Sequence, residues 1–204
     1  MTQLDSPPKL GRKRDLTRDP EILDAALEVL SEVGYEGMTI DMVATRAKAG
    51  KATVYRRWDS KAELVIDAVA CMKKADLDQA TLPDTGTLRG DLMAMIKPRT
   101  IDDGERKLRV MAGLMSLLTS NPEMADAAHA AIVEPRLAIN RMFLQRAIDR
   151  GEIPADTNVE MVASISQSMV AFRSLMLRQP VTPDYLRSVL DNVVLPAVGL
   201  GDTD

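Results

Sequence analysis

Apolar side chains recur three or four positions apart along most of the chain, which is the spacing of a buried helix face. The first such stripe lies in 19–34, where Asp19 and Pro20 mark a helix start and Gly34 marks its end. No long alternation of Val, Ile and Thr indicates a strand. The pattern therefore predicts an all-α fold.

Breaks in this pattern divide the chain into three parts. Residues 1–17 are basic and show no periodicity, which predicts a flexible arm. A loop rich in turn residues at 81–86 separates a domain of 18–80 from a domain of 81–204. The first domain ends with a helix predicted from about 59 to 79. The second is expected to contain helices over about 87–97, 103–120, 123–132, 135–150, 158–178 and 183–198.

Residues 39–58 predict two short helices joined by a tight turn. Thr39 is a favourable N-cap residue for the first, which has a clear apolar face. The second, from Lys51 to about Arg57, has few and small apolar residues, which indicates that it is displayed rather than buried. Trp58, just after it, is expected to anchor the core. This layout is typical of a helix-turn-helix, whose second helix enters the DNA major groove.

Short segments around this motif form a specific combined pattern. They are Ile22 to Ala26, Gly34-Tyr35, Met38 to Ile40, Val43 to Ala47, Lys51 to Trp58 and Ser60 to Leu64. In these segments the chain resembles the DNA-binding domain of the tetracycline-repressor (TetR/AcrR) family of bacterial transcription regulators. The resemblance covers about a quarter of the chain. It implies an N-terminal three-helix helix-turn-helix domain followed by a larger helical domain for effector binding and dimerisation.

Three residues of the turn depart from the usual pattern of this family. Lys48 stands where Gly is common, Ala49 where Val is common and Gly50 where Ser often caps the second helix. A left-handed conformation at Lys48 would cost about 1–2 kcal/mol. This cost is too small to change the predicted fold.

The resemblance and the chemistry of DNA contacts together predict the DNA-binding residues. Phosphate contacts are expected from Thr39, Tyr55 and Lys61, and base-edge contacts from the second helix. The full set is Thr39, Lys51, Ala52, Thr53, Tyr55, Arg56, Arg57 and Lys61, with Arg12, Lys13 and Arg14 in the arm. The arm either follows the DNA or is a tail that adds only weak electrostatic attraction, and the sequence leaves both open.

The net charge of −4 excludes a protein that is basic throughout, so the basic groups in the arm and the helix-turn-helix form local positive surfaces. The single cysteine, Cys71, excludes an internal disulfide, and its helical spacing predicts a buried thiol. His129 has no second His or Cys nearby, so no metal site is expected. No apolar run is long enough to span a membrane and no signal peptide is visible, which predicts a cytoplasmic protein.

Apolar stripes on the last two long helices predict a homodimer interface. The residues are Met161, Ile165, Ser168, Phe172, Leu175, Tyr185, Val189 and Val193. Their spacing is that of a packed helix pair. The alternative is that these stripes pack only within one subunit.

The middle helices carry many Met and Leu residues, which suit an adaptable apolar pocket as well as an ordinary core. By resemblance, this region surrounds a small-molecule effector. The candidate pocket residues are Met93, Met111, Leu114, Met115, Leu118, Phe143 and Gln167.

We therefore predict a DNA-binding transcriptional regulator, most simply a repressor, that binds a palindromic operator as a dimer and is released by a small, apolar effector. No cofactor is expected, and the sequence contains no nucleophile elbow, phosphate-binding Gly loop or metal-binding His pair. The alternatives are a helical adaptor or an enzyme in which the helix-turn-helix is only structural.

Overall fold

The computed structural model describes residues 18–75, 82–97 and 101–201, and all the regular structure in these ranges is helical. This confirms the predicted all-α fold. The N-terminal part contains α1 (Asp19–Gly37), α2 (Ile40–Arg46), α3 (Lys51–Tyr55) and α4 (Lys61–Ala75). The remainder contains α5 (Leu88–Ala94), α6 (Ile101–Ser120), α7 (Ala125–Ala128), α8 (Glu134–Asp149), α9 (Val159–Ala171), α10 (Pro183–Val189) and α11 (Leu195–Ala197).

The helix end predicted at Gly34 is present as a kink, since Gly34 has a non-helical backbone with a φ of 69°, and a further turn then continues to Gly37. One predicted break differs from the structure. The break expected at Pro135 is absent, because a wider π-helical turn at His129–Val133 leads directly into α8. In this turn the N–H of Glu134 bonds to the carbonyl of His129. Further π-helical turns follow α9 at Phe172–Met176 and α10 at Leu190–Val194.

The first hydrophobic core joins α1–α4 to α6 and to the segment around α7. It contains Ile22, Leu30, Val54, Trp58, Leu64, Val69, Val110, Leu117 and Ile132 among others. Helices α1 and α6 make the most extensive contact of any two elements in the described ranges. They approach so closely that a Cβ on Gly113 would lie 2.6 Å from Cδ1 of Leu30. The core that supports the helix-turn-helix therefore extends beyond the loop at 81–86.

The second hydrophobic core is formed by α5 and α8–α11. Its buried residues include Leu88, Leu92, Ile139, Phe143, Leu144, Ala147, Val162, Ala163, Val189, Leu190 and Val194. Phe143 is the largest fully buried side chain in the described part of the protein. The chain thus enters the second core with α5, returns to the first with α6, and enters the second again with α8.

Long-range polar contacts fix α5 against the end of α8. The carboxylate of Glu152 accepts the N–H of Leu88 at 2.8 Å. The buried carboxylate of Asp91 accepts the backbone N–H and the hydroxyl of Thr85 at 2.6 and 2.8 Å. The bond from Leu88 to Glu152 ties the start of α5 to the segment that follows α8, whereas the bonds from Thr85 to Asp91 stabilise the turn before α5.

Two further observations bear on the sequence predictions. Cys71 is exposed on α4, so the prediction of a buried thiol is wrong. Cys71 lies on the exposed side of α4, whereas Ala68 and Val69 are buried and Ala70 and Met72 pack against the first core. Within the described residues, no helix combines the length and the apolar character that a membrane crossing requires.

Candidate nucleic-acid interface and effector cavity

Helix α2 begins at the predicted cap. The hydroxyl of Thr39 accepts the N–H of Met42 at 3.2 Å, which satisfies one of the free donors at the helix start. Helix α2 then buries Ile40, Val43 and Ala44 in the first core. The hydroxyl hydrogen of Thr39 is still available to a phosphate at the exposed end of the helix.

The turn between α2 and α3 has the left-handed residue anticipated at Lys48. Its φ is 49°, which costs a non-glycine residue about 1–2 kcal/mol. The guanidinium of Arg18 donates to the carbonyls of Ala47 and Lys48 at 3.1 and 3.2 Å. Arg18, which the sequence did not single out, therefore stabilises the end of α2 and this turn.

Helix α3 is displayed to solvent, as its sequence predicted. Val54 is fully buried and anchors it, while Lys51, Ala52, Tyr55 and Arg56 are exposed. Thr53 is half-buried between them. Trp58 follows as a core anchor, with its indole N–H donated to Asp67 at 2.8 Å. This arrangement leaves one polar face of α3 to contact a ligand as large as DNA.

Arg57 does not belong to that face. Only 4 % of its side chain is exposed, and it is ion-paired with Asp19 at the start of α1. Its guanidinium also donates to the carbonyl of Thr53 at 3.3 Å. The DNA contact predicted for Arg57 is therefore withdrawn, because breaking a buried ion pair would leave a charge without compensation.

Two lysines of the predicted interface have partners within the subunit. Lys61 donates to the carbonyl of Tyr35 at 2.8 Å and lies 4.1 Å from the centre of its ring. Lys51 pairs with Asp41 at 2.7 Å, and this hydrogen bond raises the pKa of the lysine. The Lys51 pair is exposed, so its contribution to stability is small and a DNA phosphate can replace Asp41. Arg12, Lys13 and Arg14 lie outside the described residues.

Helix α2 is also fixed to α1 by ion pairs. Arg46 binds Glu28 at 3.0 Å and Glu32 at 2.6 Å. The hydrogen bond from Arg46 lowers the pKa of Glu32. Because Arg46 is paired with two carboxylates of α1, it holds α2 against α1 and does not add to the positive charge of the DNA face.

A cavity of about 120 Å³ lies where the two hydrophobic cores meet. Its walls come from α4, α5 and the residues after it, the π-helical turn before α8, and α8–α10. The lining residues are Lys73, Leu92, Met95, Ile96, Lys97, Ile132, Arg136, Ser166, Gln167, Val170, Leu186 and Leu190. We call this space the effector cavity.

Family models match both parts of the chain. The model described as bacterial regulatory proteins of the tetR family matches residues 22–68. The model described as the tetracyclin repressor-like C-terminal domain matches residues 82–193. An uncharacterised HTH-type transcriptional regulator of Mycobacterium tuberculosis is 35 % identical over 181 residues, which cover 89 % of this chain and 88 % of that protein.

The chain belongs to the TetR family. Another relative, the DNA-binding transcriptional repressor TetR of Mycobacteroides abscessus, is 31 % identical over 92 % of this chain and 97 % of its own length. Among solved structures, the TetR family transcription regulator SCO0332 has a TM-score of 0.66 at 24 % identity, covering 91 % of this chain and 98 % of that one. The protein is thus a DNA-binding transcriptional regulator of TetR type.

A second solved structure shares the fold at lower identity. It is the transcriptional regulator FadR from Bacillus subtilis in complex with stearoyl-CoA, with a TM-score of 0.62, 19 % identity and coverage of 89 % and 98 % of the two chains. The family models and the curated relatives point to a family of transcriptional regulators.

In this TetR-family chain, the predicted effector residues are distributed more widely than one site. Gln167 lines the effector cavity. Phe143 is in the second core and Leu114 in the first. Met93 packs on the second core, Met111 and Leu118 on the first, and Met115 is exposed. The sequence pattern did not indicate the three cationic residues of the cavity or Ser166. In the sequence their charge or polarity is that of ordinary solvent-exposed positions on a helix.

The predicted dimer residues fall into three groups by burial. Met161, Ser168, Phe172 and Val193 are exposed, and Ile165, Leu175 and Tyr185 are half-buried. Val189 is buried in the second core of its own subunit, so its predicted role in a dimer interface is withdrawn. Met176 and Leu177, which were not predicted, are also exposed, in and just after the π-helical turn that begins at Phe172. We call the exposed residues of 161–177 and Val193 the apolar face.

Proposed function

We propose that this TetR-type regulator is a repressor that binds a palindromic operator as a homodimer and is released by a small molecule in the effector cavity. The observation that carries the proposal is α3, which is anchored by Val54 and presents polar residues to solvent. The name of the M. abscessus relative supports the assignment as a repressor. We further propose that the protein acts in the cytoplasm, where its operator lies, and that it catalyses no reaction.

We assign recognition of the base sequence of the operator to the exposed residues of α3. Lys51 and Arg56 supply positive charge for guanine or phosphate, and Ala52 offers a methyl group to thymine. Tyr55, which is 48 % exposed, supplies a hydroxyl for a phosphate. In a dimer on successive major grooves, the two copies of α3 would lie about 34–36 Å apart.

The test is binding to the DNA that flanks the protein's own gene, measured over a series of salt concentrations. Lys51→Ala should weaken binding and make the salt dependence shallower by about one phosphate contact. Tyr55→Phe should weaken binding several-fold with little effect on that dependence. Lys74→Ala, at an exposed lysine on α4, is the matched control and should bind normally. Equal binding of all variants to operator and random DNA would contradict this role for α3.

Dimerisation is proposed through the apolar face. Met161, Phe172 and Met176 are 65 %, 53 % and 69 % exposed, which is unusual for large apolar side chains so close together in sequence. Burial of such a face against a second copy would remove it from water. A dimer also gives the two-fold symmetry that a palindromic operator requires.

Sedimentation analysis tests this interface. Met176→Glu and Phe172→Glu should convert the dimer to a monomer and abolish tight operator binding. Met115→Glu, at an exposed methionine on α6 outside the apolar face, should leave the dimer intact. A dimer that survives both substitutions in the apolar face would show that the subunits associate elsewhere.

Release by an effector is proposed from the position of the cavity. Lys73 of α4 and Ile132 of the first core form one wall, and Leu92 and Leu190 of the second core form another. A ligand that prefers one arrangement of these walls would change how the two DNA-binding domains of a dimer are spaced. The stearoyl-CoA complex of the B. subtilis neighbour supports ligand binding in this fold.

A further inference from the structure

A second cavity lies beside the effector cavity, between α4 and the π-helical turn that leads into α8. We call it the α4 cleft. Its volume is about 270 Å³, and its lining residues are Ala70, Cys71, Lys73, Lys74, Ala131, Ile132 and Pro135. Two of these side chains, Lys73 and Ile132, also line the effector cavity. The two spaces are therefore neighbours that share a common wall.

We propose that the α4 cleft is the second compartment of the effector site, and that the effector is an elongated, mainly apolar molecule that occupies both compartments. This inference rests on the proposed function, because it extends the cavity assigned there. Pockets for small molecules usually have volumes of about 300–1,000 Å³. The effector cavity, at about 120 Å³, and the α4 cleft, at about 270 Å³, each fall below this range, whereas the two together lie within it.

The lining of both compartments favours an apolar ligand. In the α4 cleft, Ala70, Ala131, Ile132 and Pro135 offer hydrocarbon surface. In the effector cavity, most of the lining side chains are those of Leu, Ile, Met or Val. A long apolar body would be removed from water in both spaces, which favours binding. Ser166 and Gln167 line only the effector cavity, so an uncharged polar group of the ligand is expected at that end.

The side chain of Ile132, between the compartments, is carried by an irregular part of the backbone. Ile132 is only 7 % exposed and belongs to the π-helical turn at His129–Val133. Pro135 explains this turn, because a proline inside a regular α-helix donates no N–H and its ring clashes with the carbonyl four residues earlier, here that of Ala131. Such turns are rare and often occur at functional sites. Because regular α-helical hydrogen bonds do not hold this turn, we expect Ile132 to be the side chain that the ligand displaces.

A ligand in the α4 cleft acts directly on the support of the DNA-binding domain. Cys71 lies on α4, whose Val65 and Val69 are fully buried in the first core. Ile132, on the opposite wall of the cleft, belongs to the same core. An apolar body inserted between these walls separates α4 from the π-helical turn. The ligand therefore favours an arrangement of the first core that differs from the one that binds DNA.

Cys71 allows the site to be filled with a known probe. It is the one cysteine of the chain, it is exposed, and it lines the α4 cleft. Methyl, pentyl and decyl methanethiosulfonate each transfer an S-alkyl group to its thiolate and release methanesulfinate, so apolar chains of three lengths are attached in the cleft. Operator binding of the labelled full-length protein is then measured. The methyl label should leave it unchanged, the pentyl label should weaken it slightly, and the decyl label should weaken it at least about tenfold, which is within the usual range of allosteric coupling.

A second measurement determines where the attached chain lies. A decyl label that ends in a trifluoromethyl group gives a fluorine NMR signal, and a water-soluble paramagnetic agent broadens this signal only when the chain end is exposed. The end should be protected in the wild type. Val170→Phe, which fills part of the effector cavity, should expose the chain end and restore most of the operator binding. Ile132→Val, which removes one methyl group from the common wall, should strengthen the effect of the pentyl label.

A label at another position separates this effect from that of any attached apolar chain. In Cys71→Ser combined with Met115→Cys, the thiol is on an exposed part of α6 that lines neither compartment, and the decyl label should leave operator binding unchanged. The inference is overturned if the decyl label on Cys71 does not weaken operator binding, if its chain end is exposed, or if the Met115→Cys protein responds equally. Unlabelled protein is measured in parallel. If it fails to bind the operator, the proposed function is wrong, whereas the fluorine signal still decides whether the two compartments join.

Discussion

The two hydrophobic cores of this protein consist of similar helices but are organised differently. The first surrounds a helix-turn-helix whose parts are neighbours in sequence, and only α6 and the segment around α7 join it from a distance. The second joins α5 to helices that begin more than forty residues later, through contacts such as Leu88 with Glu152 and Arg89 with Asp191. The effector cavity lies where the two cores meet.

A rigid DNA-binding surface and a cavity whose shape can change can therefore be parts of one chain. The first core is fastened around α3 by close packing and by ion pairs, which suits a surface that must match DNA. The cavity has walls from both cores, so a small relative movement changes its shape without disturbing either interior. Substitutions in the two regions test this difference.

The largest effect is expected from cavities made inside one core. Phe143→Ala should lower the free energy of unfolding by roughly 3–5 kcal/mol, because Phe143 is fully buried in the second core. Hydrogen exchange should then accelerate in α8 and α9 more than in α1–α3. Leu117→Ala is the counterpart in the first core and should show the reverse pattern. If both variants accelerate exchange equally everywhere, the cores form one cooperative unit and the comparison fails.

A methyl group added at the contact between α1 and α6 should destabilise the protein. In Gly113→Ala the new Cβ would meet Leu30 at 2.6 Å, and such overpacking typically costs about 1–3 kcal/mol. The better helix preference of alanine offsets about 1 kcal/mol of this. A double-mutant cycle by denaturant unfolding checks the cause, since Gly113→Ala should become stabilising when Leu30→Ala has opened space. The same cost in both backgrounds would rule out this contact as the reason for the glycine.

Two threonine caps allow a matched comparison of the two regions. Thr39 caps α2 and Thr87 caps α5, each by accepting a backbone N–H at the start of a seven-residue helix. Thr39→Ala and Thr87→Ala should each cost about 1 kcal/mol in thermal unfolding. Only Thr39→Ala should also weaken operator binding, because α5 is remote from the DNA face. Equal loss of binding would mean that general destabilisation explains both.

The smallest effect concerns the exposed ion pairs between α1 and α2. Arg46 lowers the pKa of Glu32 from its ordinary value of 4.5, so the pair stabilises the folded state above that pH. The stabilisation is lost as the pH falls through the lower folded-state pKa. Glu32→Gln should therefore reduce stability slightly at neutral pH and flatten the loss of stability on acidification below about pH 4.5. An unchanged acid profile would indicate that the pair contributes nothing in solution.

The sequence alone predicts the helical fold class, the helix-turn-helix and most of the exposed residues of α3. These features are local, since a cap such as Thr39, a displayed polar helix and an anchor such as Trp58 are encoded within twenty residues.

The surface that each charged side chain faces depends on the tertiary structure. It places Arg57 in a buried pair with Asp19, and it gathers Lys73, Lys97 and Arg136 at one cavity. In the sequence each of these residues has the pattern of a solvated charge. Their surroundings are set by helices that lie far away in the chain, and hydrophobic periodicity specifies which face of a helix is buried but not which helix covers it.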